Sequence, residues 1–141
     1  MNVTEKPAFL SALGMVSALG TGIAQSSETL FGDRPADMRL HEDYLVGEST
    51  ILGTFTGAVD PLPDHLGHYD TRNNRLLWTA ANQISDEISD VIATFGKDRV
   101  AVILGTSTSG IEEGTSGYRD RLTTGHWAES FRYEDQEIGS P

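Results

Sequence analysis

A long amphipathic pattern between Thr71 and Phe95 limits the folds open to this chain more than any other segment. Apolar residues recur there at steps of three and four, which predicts one apolar stripe along a helix. The stripe consists of Leu76, Ala80, Ile84, Ile88, Val91, Ile92 and Phe95. Asp70 or Thr71 can cap the first turn, and Gly96 stands where a left-handed C-terminal cap is expected. We therefore predict one helix over Thr71–Phe95.

A short β-branched run, Arg99–Leu104, follows this helix and is bounded by Gly105. Such a run predicts a buried central strand. A helix, a tight turn and a buried strand in this order form half of a crossover unit, so we predict an α/β fold. The small residues of Gly105–Gly110 then form a loop at the carboxyl end of the strand, where open α/β sheets commonly bind ligands.

The N-terminal third predicts two further elements. Ala8–Leu19 is a nearly continuous apolar run, which suits a strand buried on both faces. Gly14 and Gly20 interrupt this run and indicate a bend or turn. The next segment, Thr21–Phe31, predicts a short amphipathic helix that ends at Gly32.

Two other segments are less regular. Asp33–Asp64 is rich in Gly, Pro, Thr and Asp, and only Ser49–Thr56 within it alternates enough to predict a short strand. Residues 111–141 are acidic and without a clear period, so we predict an irregular segment there. Its aromatic residues indicate that this segment packs against other parts of the protein; they are Tyr118, Trp127, Phe131 and Tyr133.

Composition narrows the classes of function. A chain of 141 residues is long enough for one domain with a core but short for two. Its formal net charge of −11 argues against a nucleic-acid or anionic-membrane surface, because binding phosphate needs a cationic face. No apolar run approaches the roughly 20 residues that span a bilayer, and Met1–Pro7 has no signal-peptide pattern, so we expect a cytoplasmic protein. With no cysteine, the chain has no disulfide, thiolate metal site or cysteine nucleophile.

The loop Gly105–Gly110 shares the G-x-x-x-x-G spacing of a phosphate-binding loop, but Ile111 and Glu112 replace the Lys and Ser or Thr that bind phosphate and metal. Ser107 nearly forms a nucleophile elbow, but Ser109 stands where the closing glycine is required. The simpler interpretation is a tight loop whose small residues allow close backbone approach.

Two groups of polar residues leave alternatives open. His65 and His68, flanked by Asp64 and Asp70, are of metal-ligand types, although exposed loop histidines are the commoner outcome and we predict no metal site. Arg72 and Arg75 lie three apart on one helical face of an acidic chain. They either pair locally with acids such as Asp70 or form a docking patch for an acidic partner.

Three segments in succession resemble the β-ketoacyl-[acyl-carrier-protein] synthases, the condensing enzymes of the thiolase-like fold. Ser11–Gly20 is similar to the family's opening G-x-V-S-P-L-G strand and turn, with Ala18 where proline is usual. Arg72–Leu77 leads into a helix similar to the family's first long core helix. Arg99–Gly110 resembles the strand and the G-[ST]-x-x-x-G loop that follow. The likeness extends over about residues 1–110, and residues 111–141 are the irregular acidic remainder.

The resemblance implies that residues 1–141 are the N-terminal portion of one layered α/β/α/β/α domain with a mixed sheet, which requires further C-terminal polypeptide. The complete protein would be a 3-oxoacyl-[acyl-carrier-protein] synthase of fatty acid, polyene or polyketide biosynthesis, joining an acyl thioester to malonyl-carrier protein by decarboxylative condensation. Its partners would be an acyl carrier protein and a second subunit, in a homodimer or a ketosynthase/chain-length-factor heterodimer. No cofactor and no metal are implied.

The resemblance assigns no catalytic residue to this chain, which alone is predicted inactive. The family's cysteine would follow residue 141 and its two histidines would come later still. Thr108 falls at a loop position where relatives often carry a larger residue that gates the acyl pocket. Arg72 and Arg75 lie near the helix start that relatives use in part to dock the carrier protein. Two alternatives remain: a non-catalytic chain-length-factor-like subunit, or a small α/β binding protein.

Overall fold

The structure of the protein, a computed structural model, describes residues 9–103, 105, 111–129 and 131. The described residues contain four α-helices and two small antiparallel sheets. In chain order they are β1 Val16–Ser17, β2 Gly20–Thr21, α1 Gly22–Phe31, β3 Met38–Leu45, β4 Glu48–Gly53, α2 Arg72–Asn82, α3 Ser85–Phe95 and α4 Ile111–Thr124. Short 3-10 helices span Asp64–Tyr69 and Lys97–Arg99.

The N-terminal region forms a tight hairpin followed by a helix. Val16 pairs with Thr21 in the β1–β2 ladder, and α1 begins directly after it. The helix ends as predicted at Gly32, whose N–H donates to the Glu28 carbonyl oxygen at 2.9 Å. Of the buried strand predicted over Ala8–Leu19, the described residues form only the short β1, followed by the turn that the glycines indicate, and the prediction is wrong for residues 9–15. No described strand runs beside residues 9–15, and Phe9 is 83% exposed.

β3 and β4 form a second hairpin, in which Leu40 faces Ile51 and the register shifts between His41 and Leu45. The predicted strand at Ser49–Thr56 is confirmed as β4, although it starts one residue earlier and ends at Gly53. The prediction that the rest of Asp33–Asp64 is irregular is wrong for β3. Two consecutive acids in the middle of β3 hide the alternation of its apolar residues, whereas pairing with β4 fixes the extended backbone.

The long predicted helix exists as two helices, α2 and α3, separated by Gln83 and Ile84. Thr71 caps α2 through its Oγ1, which accepts from the Asn74 N–H at 3.2 Å. Gly96 ends α3 with φ at 83°, the left-handed backbone that the sequence predicts there. The prediction of a single helix over Thr71–Phe95 is therefore correct at both ends and wrong in the middle.

The segment after α3 departs from its prediction as well. Residues 100–103 belong to no strand, and Val102 and Ile103 are 81% and 91% exposed. A buried strand needs neighbouring strands, and the described part of the chain supplies none beside these residues. The irregular segment predicted after residue 110 instead contains α4. Trp127 stacks on Phe131 beyond it, with ring centroids 4.5 Å apart.

Apolar side chains are poorly covered throughout the described residues. None of them is fully buried, and the only buried side chains there belong to Ser26 and Thr79. The two facing residues of the β3–β4 hairpin, Leu40 and Ile51, are 62% and 63% exposed. Burial of apolar area contributes most of the free energy that favours folding, so these surfaces are suited to contact with additional polypeptide. Among the described residues, no helix is long and apolar enough to cross a membrane.

Candidate functional site

The start of α2 carries the two arginines that the sequence singles out. Arg75 forms a bidentate ion pair with Asp70, in which Nε and Nη2 each donate to one carboxylate oxygen. These hydrogen bonds hold the pKa of the Asp70 carboxyl below its usual range and raise the pKa of the Arg75 guanidinium. Local pairing, the simpler of the two interpretations, is therefore observed for Arg75.

Arg72 has a different environment from Arg75. It is exposed, and its Nη2 donates to the Phe55 carbonyl oxygen. It forms no ion pair with any residue that the structure describes. A hydrogen bond to a neutral carbonyl orients the guanidinium and leaves its positive charge uncompensated, so Arg72 can still attract an acidic partner.

The Asp70–Arg75 pair predicts a pH dependence. Because the folded-state pKa of Asp70 is lowered from 3.8, its contribution to stability is present above that value and is lost as the pH falls through the folded pKa. We expect Asp70→Asn to lower stability at pH 7 and to have a smaller effect as the pH falls toward the acid end of the range. Urea denaturation of the full gene product between pH 3 and 7 measures this difference. Arg75→Gln, the matched variant, should show the same profile, and a loss that persists undiminished at pH 3 would contradict the assignment.

A cavity of about 430 Å³ lies between the β1–β2 turn, the start of α1 and the segment after β4. Its walls combine backbone, polar side chains and one aromatic ring. They are formed by Ser17, Ala18, Gly20, Thr21, Gln25, Arg34, Asp37, Phe55, Thr56, Gly57 and Ala58. A Cβ on Gly20 would lie 2.8 Å from Arg34 Nη1 and from Gln25 Cβ, so only glycine leaves room for both side chains.

Two charged side chains of this cavity are held in place by hydrogen bonds. Arg34 Nη1 donates to the Leu19 carbonyl oxygen and to Thr29 Oγ1. The Asp37 carboxylate accepts from Arg39 Nε at 2.8 Å and from Thr56 Oγ1 at 2.6 Å. These two bonds keep the pKa of Asp37 below its ordinary value, so the carboxylate is ionised at neutral pH.

The turn that lines the cavity is tied to the break between α2 and α3. The Gln83 side chain receives the Met15 N–H on Oε1 and donates from Nε2 to the Met15 carbonyl oxygen, both at 3.1 Å. The amide thus makes the paired contacts that a neighbouring strand would make. The Gly14 backbone lies directly against the Ala80 carbonyl group, where a side chain would not fit. No sequence signal marks Gln83 for this role, because the two segments are far apart in the chain.

The remaining predicted site residues are Thr108 and two histidines. Thr108 and most of the Gly105–Gly110 loop lie outside the described residues. His65 and His68 are exposed on the 3-10 helix before α2. Within the part of the chain that the structure describes, no three acidic or histidine side chains lie close enough to hold a metal ion.

Comparison with known proteins relates the fold to a solved complex. No family model matches the sequence, and no curated protein matches it either. The fold is similar to a chain in the solved structure of a ketosynthase (ApeO) in complex with its chain length factor (ApeC) from Xenorhabdus doucetiae. The TM-score is 0.78 and the identity 34%, and the match covers 93% of this chain and 34% of that chain. This protein therefore spans about a third of the length of that chain, and it has an α/β fold of the thiolase-like class, related to a ketosynthase or chain length factor.

Proposed function

We propose that this chain is the N-terminal portion of a 3-oxoacyl-[acyl-carrier-protein] synthase. The observation that carries the proposal is the similarity to the ketosynthase and chain-length-factor complex over 93% of the chain, at 34% identity. At that identity over a shared fold, the likeness supports a related function and not the fold alone. The order of the G-x-V-S-x-L-G turn, the α2 helix and the small-residue loop supports the same conclusion.

Residues 1–141 would then be part of a single domain that further polypeptide completes. The exposed apolar side chains support this proposal, since Val102, Ile103 and the β3–β4 hairpin all lack cover among the described residues. Residues 100–103 would join a sheet once neighbouring strands are present. The second subunit would be another copy of the chain or a chain length factor, and the matched complex contains a chain length factor.

The proposed reaction places the chemistry outside this chain. A cysteine thiolate would take the acyl group from a carrier protein as a thioester. Loss of CO₂ from a malonyl thioester would leave a carbanion equivalent that attacks the acyl carbonyl and releases the thiolate. The chain has no cysteine, and its four histidines match none of the family's catalytic motifs; they are His41, His65, His68 and His126. Residues 1–141 would supply scaffold, pocket lining and docking.

The experiment that tests this function is intact-mass analysis of the full gene product after incubation with an acyl-carrier protein. We expect a mass increase of one acyl group, removed by hydroxylamine as a thioester, on a peptide outside residues 1–141. Release of CO₂ from malonyl-carrier protein should depend on the same residue. A protein that forms no acyl adduct and releases no CO₂ is not a synthase.

Carrier-protein docking at the start of α2 is the first supporting role that we propose, with Arg72 and Arg75 as its residues. Because Asp70 already compensates Arg75, most of the attraction should come from Arg72. We expect Arg72→Glu to weaken carrier affinity about tenfold at low salt and less at high salt. Surface plasmon resonance measures the change. Arg119→Glu on α4 is the control, since it changes the charge by the same amount. An equal loss of carrier affinity in both variants would show that the effect comes from net charge and not from docking at Arg72.

Gating of the acyl pocket by Thr108 is the second supporting role. A small polar side chain at a position where relatives often carry a larger one would admit an acyl or polyene chain different from a saturated fatty chain. We expect Thr108→Phe in the full gene product to shift product chain length downward, since the ring would fill part of the pocket. Mass spectrometry of the products measures this shift, and an unchanged chain-length distribution would refute the gating role.

A chain-length-factor-like subunit is the second candidate function, because the matched complex contains both kinds of chain. The residue at the nucleophile position, which lies outside this sequence, distinguishes the two. A full gene product that forms no acyl adduct itself and yet sets chain length in an added ketosynthase would favour this candidate. A small α/β binding protein would instead fold cooperatively from these residues alone.

A further inference from the structure

Arg34 presents unused hydrogen-bond donors at the wall of the cavity between the β1–β2 turn and the segment after β4. Its Nη1 donates to the Leu19 carbonyl oxygen and to Thr29 Oγ1, which fixes the guanidinium in place. Its Nε and Nη2 have no hydrogen-bond partner among the residues that the structure describes. These two groups form one edge of the guanidinium, whose two parallel N–H bonds match the two oxygens of a carboxylate.

The positive charge of Arg34 is also uncompensated, on a chain whose formal net charge is −11. It forms no ion pair with a described residue, and neither its sequence neighbour Asp33 nor Asp37 in the cavity wall lies within ion-pair distance. Asp37 is neutralised by Arg39 and further held by Thr56. Of the charged residues in the described cavity wall, Arg34 is therefore the one without a compensating partner.

Gln25 adds a neutral donor to the same wall. Its Oε1 accepts from the Thr21 N–H at 3.1 Å, which leaves its Nε2 group without a partner in the described part of the chain. A single uncompensated positive charge with neighbouring amide donors suits a monoanion. A phosphate dianion would need a second compensating positive charge, and the cavity offers only one free guanidinium.

We propose that this cavity binds a carboxylate on the free edge of Arg34, assisted by the amide of Gln25. The carboxylate can belong to a small molecule or to an Asp or Glu side chain of polypeptide that covers the cavity. Both have the same recognition chemistry. The proposal does not depend on the proposed condensing function, since it rests on residues 17–58 alone.

The direct test is saturation-transfer NMR of the full gene product with sodium acetate, at constant ionic strength. Acetamide, which has nearly the same shape and no charge, is the control ligand. We expect acetate to bind the unaltered protein. Arg34→Gln should weaken this binding at least tenfold, as is usual for loss of a hydrogen bond between charged groups. Arg119→Gln, which removes an exposed charge from α4, should leave acetate binding unchanged.

A second variant guards against loss of fold in Arg34→Gln. Gln25→Glu keeps the oxygen that accepts from Thr21 and replaces the donor by a negative charge. If the cavity binds a small molecule, this variant should abolish acetate binding. If a side chain of covering polypeptide supplies the carboxylate, the variant should lower the urea midpoint of the full gene product. Without a bound carboxylate, the new charge would pair with Arg34 and raise that midpoint.

The outcomes separate the two sources. Acetate binding to the full gene product that Arg34→Gln weakens identifies a small-molecule site. Absence of acetate binding there, together with a lower urea midpoint for Gln25→Glu, identifies a carboxylate from the polypeptide. Equal binding of acetate by the unaltered protein and by Arg34→Gln would overturn the proposal. So would a protein that binds no acetate and whose urea midpoint is unchanged or raised by Gln25→Glu.

Discussion

Replacing Gly14 by alanine is expected to lower the free energy of unfolding by about 3 kcal/mol, the upper part of the range for an overpacked site. A Cβ at this position would lie far inside van der Waals contact of the Ala80 carbonyl oxygen. That oxygen belongs to the backbone of α2 and cannot turn aside as a side chain could. The turn before α1 would have to move away from α2, which would also lengthen the contacts between Gln83 and Met15. Urea denaturation of the full gene product measures the loss.

Gly67→Ala is the matched control for this prediction. Gly67 lies in the 3-10 helix before α2, and a Cβ there would have no heavy atom within 4 Å. The same chemical change should therefore alter stability by less than about 0.5 kcal/mol, as is usual at open surface sites. Equal effects of the two substitutions would show that Gly14 is not in close contact with α2.

Gln83→Ala is expected to cost about 2 kcal/mol, the second largest effect. The substitution removes two partly buried hydrogen bonds to Met15, each worth about 1 kcal/mol net. The Met15 carbonyl oxygen retains its bond from the Gly22 N–H at 2.8 Å, whereas the Met15 N–H is left without a described partner. We also expect the helical signal in circular dichroism to rise or stay constant, because alanine favours continuation of α2 into α3.

The neighbouring variant Asn82→Ala is the control. Asn82 donates from Nδ2 to Asp60 at 3.0 Å through an exposed contact, and exposed contacts of this kind contribute little. We expect a loss below about 1 kcal/mol. A larger loss for Asn82→Ala than for Gln83→Ala would mean that the break between α2 and α3 is not held by the contact with Met15.

Local patterns predicted those parts of the fold that depend on local interactions. The amphipathic segment before Gly32 forms α1, and Thr71 and Gly96 mark the outer ends of the α2–α3 pair. These signals act over a few residues, through caps and the helical period, and need no knowledge of distant chain.

Elements that depend on distant residues were missed. The break at Gln83 satisfies the backbone of Met15, 68 residues earlier in the chain, while the apolar stripe continues through it. Conversely, the β-branched run after Arg99 predicts a strand, but a strand exists only where other strands pair with it. In the first case a distant contact interrupts a helix that the local pattern predicts. In the second, the described residues supply no strand to pair with the predicted one.

The candidate site, too, could be predicted from the sequence only where it depends on residues close together in the chain. The pairing of Arg75 with Asp70 was one of two interpretations open from the sequence, because the two residues lie only five apart in the chain, on either side of the start of α2. The cavity beside Arg34 was not predicted. It is assembled from three segments around residues 17–25, 34–37 and 55–58, and the free edge of an arginine depends on which acceptors the fold brings near it.

Differential scanning calorimetry of the 141-residue chain tests most directly the claim that these residues are one portion of a larger condensing-enzyme domain. A complete globular domain unfolds with about 0.7 kcal/mol per residue near 60 °C, which is on the order of 100 kcal/mol for 141 residues. Because the described residues bury no apolar side chain, we predict a broad transition without a cooperative peak of that size. A single two-state peak near 100 kcal/mol would contradict the account and would identify the chain as an independent α/β domain.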